Sequence, residues 1–193
     1  MEYFNSQDYD VILTTASLSL RLAMIAPRLK AATISWQHNC YDGYLHVKPV
    51  VFWQQENLLQ QYLPNLDRYI VLSDYDKRDY MEKLGIDCEV KINPRSFVSE
   101  KKCDVKSKRF LMATRFVYAK GLDLMMESFE EFCKEDSEWE LDIIGDGDLF
   151  DQIRADAKKR HLEKRVHFVG YTNEPEKYYL NSSVFLLPSR WEG

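Results

Sequence analysis

Residues 109–147 read RFLMATRFVYAKGLDLMMESFEEFCKEDSEWELDIIGDG. Phe110–Ala113 is a short apolar run and reads as a strand. Arg115, Lys120 and Gly121 follow it. Leu122, Met125, Met126, Phe129 and Phe132 then recur at helical spacing. Trp139–Ile144 reads as a second strand, and Gly145–Asp146–Gly147 leaves it as a tight turn. Strand, basic loop, helix, strand and glycine turn make up the pattern of a parallel α/β sheet. In such sheets ligands bind beyond the carboxyl ends of the strands. Arg115, Lys120, Gly145 and Gly147 all fall there.

Downstream, Leu149, Phe150, Ile153 and Ala157 define a helix, with Asp148 available as its cap. Val166–Val169 is a strand closed by Gly170, Glu174–Leu180 a short helix, and Ser183–Leu187 a strand that runs into Pro188–Gly193. A parallel strand needs a crossover to cover its sheet, so the C-terminus reads as truncated. Upstream, Tyr9–Thr14 reads as a buried strand and Thr15–Leu29 as a helix capped by Ser17 and interrupted by Pro27. Ala32–Trp36 is the next strand, and it leads to Gln37–Tyr44 with an Asp-Gly turn at Asp42–Gly43. Pro49 is placed to start a helix that buries Val51, Leu58, Leu59 and Tyr62. Arg68–Leu72 is a strand. Ser73 and Asp76 open a helix ended by Gly85, and Ile86–Ile92 is a short strand. Residues 93–108 are polar, charged and without period, which suits a domain boundary. Each half thus holds four strands alternating with helices, and the two halves should form separate parallel sheets.

The net charge of −5 over 193 residues excludes a general nucleic-acid binder, and 45% hydrophobic residues suit a globular domain. Basic clusters at 101–109 and 158–164 read as solvated surface. Cys40, Cys88, Cys103 and Cys133 lack metal-site or redox spacing and read as reduced and cytosolic. No apolar run is long enough to span a membrane, and the polar, acidic first ten residues are not a signal peptide.

Arg115 and Lys120 sit at a helix start, where bare cations are unfavourable unless an anion arrives. A rigid donor fork and a mobile point charge together suit a diphosphate. The alternative is two surface cations. Gly145-x-Gly147 lacks the third glycine of a dinucleotide fingerprint, since position 150 is Phe150. His38, just past a strand end, admits two readings, one structural and one in contact with substrate. Glu192 suits either a sugar hydroxyl or the cap of a following helix. No metal-protease, Walker or serine-elbow motif occurs.

The segments YDVIL, ISWQHN, DRYIVLSDYDKRDY, KINP, ATRFVYAKGLD, LDIIGDGDL, VHFVGY and FLLPSRWEG, in this order and spacing, resemble the family 4 retaining glycosyltransferases. That family has the GT-B fold of two Rossmann-like domains. The resemblance implies an α/β protein with two Rossmann-like parallel-sheet units, both incomplete. Residues 1–93 would be the C-terminal part of the acceptor-side domain, 94–108 the linker, and 109–193 the N-terminal part of the donor-binding domain. Arg115 and Lys120 match the pair that holds the donor diphosphate, although Thr114 replaces the usual glycine. Gly145 and Gly147 match the turn beside the nucleotide, and the stretch around Tyr171 the region that holds the base. Glu192 matches the first glutamate of the family's glutamate pair, and His38 the acceptor-side histidine.

The implied reaction is transfer of a hexosyl unit from a nucleotide sugar, UDP first and GDP next, to a saccharide or lipid-linked acceptor in cell-surface polysaccharide synthesis. Configuration would be retained, with no cofactor and no obligatory metal. The resemblance places the enzyme in the cytoplasm, at the inner membrane face, with peripheral membrane association through parts beyond this chain. Missing flanking strands would expose apolar faces and favour self-association. The rival readings are a nucleotide-sugar epimerase on the same fold and a non-catalytic nucleotide-binding fragment.

Overall fold

The computed structural model describes residues 1–47, 51–95 and 98–192. The chain divides into two units, Met1–Arg95 with Trp191–Gly193, and Ser96–Arg190. Each holds one four-stranded sheet, and every strand pair is parallel.

The first unit runs α1 (Glu2–Ser6), β1 (Val11–Thr15), α2 (Leu18–Ile25), β2 (Ala32–Trp36), α3 (Tyr41–Leu45), α4 (Glu56–Tyr62), β3 (Arg68–Val71), α5 (Asp74–Leu84) and β4 (Glu89–Val90). Its strands lie in the order β1-β2-β3-β4. Ile12, Tyr69, Val71 and Val90 pack with Leu20, Leu22 and Ala23 of α2, Leu59 of α4, and Tyr80 and Leu84 of α5. The hydroxyl of Tyr69 donates to that of Tyr80 at 3.2 Å, and both rings are buried. Burial pushes both phenols above the usual tyrosine range.

Several local expectations fail here. β1 is not a buried strand: it is the sheet edge, and Val11 and Leu13 are 49% and 51% exposed. The α-helix expected over 15–29 spans only Leu18–Ile25, because Pro27 turns its end into a 3-10 turn. Ser17 flanks it in helical backbone and makes no side-chain cap. The Asp42–Gly43 turn lies inside α3, whose start is fixed when the Tyr41 amide donates to Asp76 Oδ1 at 3.0 Å and Gly43 N–H to Cys40 Sγ at 3.3 Å. Gly43 is needed there for room: a Cβ would stand 2.9 Å from Asn39 Oδ1 and from the Trp191 ring. Pro49 lies outside the described residues, and the helix expected from it differs too: α4 begins only at Glu56, so Val51 precedes it, and Leu58 is 42% exposed on the side away from the buried Leu59. By contrast Ser73 caps α5 by accepting from the Asp76 amide at 3.1 Å, and Gly85 ends it in left-handed backbone at φ 70°.

The second unit runs β5 (Arg109–Ala113), α6 (Leu122–Glu135), β6 (Glu140–Ile144), α7 (Phe150–Lys159), β7 (Val166–Gly170), α8 (Pro175–Leu180) and β8 (Val184–Phe185). Its order is β7-β6-β5-β8. The apolar stripe of α6 buries Leu122, Met125, Met126 and Phe129 against Met112, Leu141 and Ile143. Each such side chain contributes roughly 1.5–3 kcal/mol. Asp148 does not cap α7, whose flanking residue is Leu149. At the amino ends of the strands Arg109 spans Asp142 and Glu140, and Glu140 also meets His167 at 2.8 Å. The His167 and Arg109 contacts hold the Glu140 carboxyl below the usual range.

Candidate functional site

In the second unit the carboxyl edge of the sheet is assembled from backbone. β5 ends at Ala113, and Thr114 N–H donates to the Ile144 carbonyl at 2.9 Å. Gly145 crosses the Thr114 carbonyl so closely that a Cβ would sit 1.8 Å from it, with φ at 127°. Only glycine fits that approach. Gly147 lies against Phe116 in the same way, its absent Cβ 2.8 Å from the Phe116 amide nitrogen.

Phe116 is the peg between the two loops. Its ring is fully buried, 5.0 Å from Phe150. Its N–H donates to the Asp146 carbonyl at 2.9 Å, and its own carbonyl accepts from the Leu149 amide at 2.9 Å. The loop that carries Arg115 is thereby fastened to the Gly145–Gly147 turn. Gly145 N–H donates in turn to the Gly170 carbonyl at 2.8 Å, and Tyr171 follows, 78% exposed. Arg115, Lys120, Gly145, Gly147 and Tyr171 therefore share one sheet edge.

Arg115 is exposed and has no ion pair among the described residues. Lys120 closes a 3-10 turn, Tyr118–Lys120, whose end is Gly121 at φ 64°. Gly121 also starts α6 and supplies no side-chain cap. The first amides of that helix have no intrahelical partner and carry its positive pole. Cations, glycine backbone and an uncapped helix start are the parts of an anion site.

The sequence alone does not single out Arg190. Its guanidinium forks onto Asp123 at 2.8 and 2.6 Å, donates to the Tyr118 carbonyl at 2.9 Å and lies 3.9 Å from the centre of the Tyr118 ring. Its backbone N–H donates to the Ala119 carbonyl at 2.8 Å. Arg190 holds the Asp123 carboxyl below the usual range. The spacing of 67 residues hides this pair from any local motif.

In the first unit the matching edge is made of side chains. His38 leaves β2 exposed to solvent, and its ring stacks on Trp36 at 5.4 Å between centroids. Its backbone N–H reaches the Tyr44 hydroxyl at 3.4 Å. On the opposite side of β2, Gln37 Nε2 donates to Ser19 Oγ at 2.5 Å and Ser35 Oγ at 3.1 Å, all three residues being buried. The Cys40 amide donates to the Glu192 carbonyl at 3.0 Å, so Glu192 joins the loop that follows His38. The structure thus places His38 and Glu192 in the first unit and the other five expected residues in the second. Trp36, like Arg190, carries no motif that marks it.

Cys88 is inert by burial, its thiol pushed up to about 12. No cluster of three or more His, Cys, Asp or Glu among the described residues would hold a metal ion, and no described helix is long and apolar enough to cross a membrane. A groove of about 630 Å³ between α7 and β7, lined by Phe150, Arg154, Lys158 and His167, does not include Arg115 or Lys120.

Two parallel four-stranded sheets alternating with helices place the protein among the doubly wound α/β folds. The family model described as glycosyl transferases, group 1, matches residues 96–193, half of the chain, and the protein belongs to that family. A Haemophilus influenzae protein named only as an uncharacterized glycosyltransferase is 25% identical over 189 residues, 95% of this chain and 51% of its own. The poly(ribitol-phosphate) alpha-N-acetylglucosaminyltransferase of Staphylococcus aureus is 26% identical over 150 residues, 74% of this chain and 29% of the relative. The chain thus spans about half of the first relative, 51%, and less of the second, 29%. Among solved structures, TarM superposes with a TM-score of 0.80 at 20% identity, covering 100% of this chain and 39% of that one. The pneumococcal O-GlcNAc transferase GtfA, solved with UDP and GlcNAc, gives 0.74 at 16%, covering 99% and 40%. These likenesses establish the fold as GT-B.

Proposed function

We propose that the chain carries the donor-diphosphate edge and the acceptor-side histidine of a retaining glycosyltransferase. It moves a hexosyl unit from a UDP-sugar to a saccharide or lipid-linked saccharide in cell-surface polysaccharide synthesis. The observation that carries the reading is the Phe116 peg, which fastens the Arg115 loop to the Gly145–Gly147 turn at an uncapped helix start. Two relatives support the setting by name: the staphylococcal enzyme above and a lipopolysaccharide 1,6-galactosyltransferase of Salmonella typhimurium, 26% identical over 170 residues.

In this reading the second unit binds the donor and the first carries the acceptor-side residues; the segment expected as a linker is bonded to the second unit where Asp104 N–H donates to the Leu180 carbonyl at 2.8 Å and Ser107 Oγ meets Ser183 Oγ at 2.9 Å. Arg115 forks onto the diphosphate and Lys120 meets the charge that grows as it departs, helped by the positive pole of α6. The two cations take the role of a metal. Residues around Tyr171 hold the base, and His38 and Glu192 are the first unit's candidates for contact with substrate. No protein nucleophile is assigned. The enzyme works in the cytoplasm, at the inner face of the membrane. The exposed Val11–Leu13 side of the first sheet is the surface for self-association.

The test is a titration of UDP and of uridine against wild type, Arg115→Ala and Lys120→Ala. Wild type should prefer UDP, each variant should lose that preference, and uridine binding should hold. Turnover with a nucleotide sugar should fall about 10²–10³-fold in each. Equal binding of UDP and uridine by wild type, or an intact UDP preference in both variants, overturns the assignment.

A further inference from the structure

We infer that Arg190 is a positioning residue for the phosphate-binding loop, acting through Asp123 and the Tyr118–Lys120 turn. The inference rests on the reading of Lys120 given above and adds what sets that side chain's place.

Lys120 lies in a single 3-10 turn, Tyr118–Lys120, that ends in a left-handed glycine. The segment Pro188–Arg190, arriving from β8, fastens that turn at several points. Its Pro188 carbonyl occupies the space a Gly121 Cβ would take, at 2.1 Å. Arg190 N–H holds the Ala119 carbonyl, and Arg190 Nη1 holds the Tyr118 carbonyl. The guanidinium covers the Tyr118 ring and forks onto Asp123, the second residue of α6. Residues 118, 119, 121 and 123 are all tied to one short segment, and Lys120 stands in their midst. The Arg190 side chain is only 18% exposed, so the fork is well enclosed on its own side. Two parallel bonds fix an orientation as well as a distance, which a lone lysine pair does not.

Asp123 gives the inference a test of sign. A carboxylate in the first turn of α6 repels an incoming diphosphate, so electrostatics alone says that Asp123→Asn should tighten UDP. If Asp123 instead anchors Arg190, its loss frees the fork and loosens the turn, and UDP weakens. The experiment is isothermal titration of UDP and of uridine against wild type, Asp123→Asn, Arg190→Lys, Arg190→Ala and Lys120→Ala at one ionic strength. We expect Asp123→Asn to weaken UDP by about 10-fold and to leave uridine unchanged. Arg190→Ala should match or exceed that loss. Arg190→Lys keeps the charge without the fork and should fall between wild type and Arg190→Ala. Asp123 is 54% exposed, so the asparagine variant tests the inference even if Arg190→Ala does not fold. Unchanged or tighter UDP binding in Asp123→Asn overturns it, as does UDP binding by Arg190→Lys as tight as that of wild type. If Lys120→Ala loses the UDP preference while Asp123→Asn keeps it, only the positioning role falls. If Lys120→Ala keeps the preference, the diphosphate assignment falls and takes this inference with it.

Discussion

In the second unit the carboxyl edge of the sheet is made of main chain: Gly145 against the Thr114 carbonyl, Gly147 against Phe116, Gly121 against the Pro188 carbonyl. In the first unit the same edge is made of side chains. Trp36 stacks on His38, and Gln37 is held by Ser19 and Ser35 beneath it. Buried polar side chains gather in the first unit, where Ser19, Thr33, Ser35, Gln37, Asp76 and Asp79 lie below the surface. Thr14 Oγ1, Trp36 Nε1 and Gln37 Oε1 are buried there without a hydrogen-bond partner among the described residues. An edge of main chain presents amides and a helix pole, and tolerates no added atom. An edge of side chains can change its chemistry residue by residue, at the cost of polar groups that must be satisfied inside.

The largest effect should separate the two kinds of glycine. Gly145→Ala puts a methyl into the Thr114 carbonyl in backbone that L-residues avoid, and the second unit should lose about 3 kcal/mol or more. Gly85→Ala meets nothing within 4 Å and should cost the first unit only about 1 kcal/mol, from its left-handed backbone. Urea unfolding of both variants measures the difference, and equal losses would break the contrast.

A smaller effect concerns the polar layer under β2. Ser19→Ala or Ser35→Ala removes a partner of the buried Gln37 amide and should cost about 1–3 kcal/mol. Replacing Ser19, Ser35 and Gln37 together by Ala, Ala and Met removes the whole polar set and should cost less than either single change. If the triple variant is the least stable by thermal melting, the layer is a net stabiliser and the comparison must be redrawn.

The smallest effect is acid sensitivity. Asp67 accepts from the Thr33 amide at 2.6 Å and its hydroxyl at 2.9 Å, and these bonds hold its carboxyl below the usual range. Such a group stabilises fully above its unfolded pKa of about 3.9, and the contribution disappears as pH falls through the lower folded value. Asp67→Asn should therefore lower the melting temperature at neutral pH and flatten its decline on acidification. Glu140 follows the same sign in the second unit, but its partners are Arg109 and His167, so added salt should weaken that contribution more than the Asp67 one.

Much of the fold was legible because alternation and period survive in the sequence. The apolar stripe of α6 and the runs at β5 and β6 needed no tertiary information. Gly145, Gly147, Arg115 and Lys120 were legible from their place after strands. What was not legible depends on neighbours far along the chain. Whether β1 is covered depends on what stands beside it, which the run YDVIL does not state. The Asp42–Gly43 pair reads as a turn until Asp76, at a separation of 35 residues, accepts the amide that starts α3. Arg190 looks like any loop arginine until Asp123 faces it.

The buried phenol pair of Tyr69 and Tyr80 bears on how unfolding of the first unit can be watched. In an alkaline absorbance titration a phenol that meets water ionises first. These two stay colourless while the helices over β3 remain in place, because the phenolate has no water to turn to. Their ultraviolet signal appears only when α5 lifts off the sheet. The pair thus gives the first unit an optical reporter that needs no label.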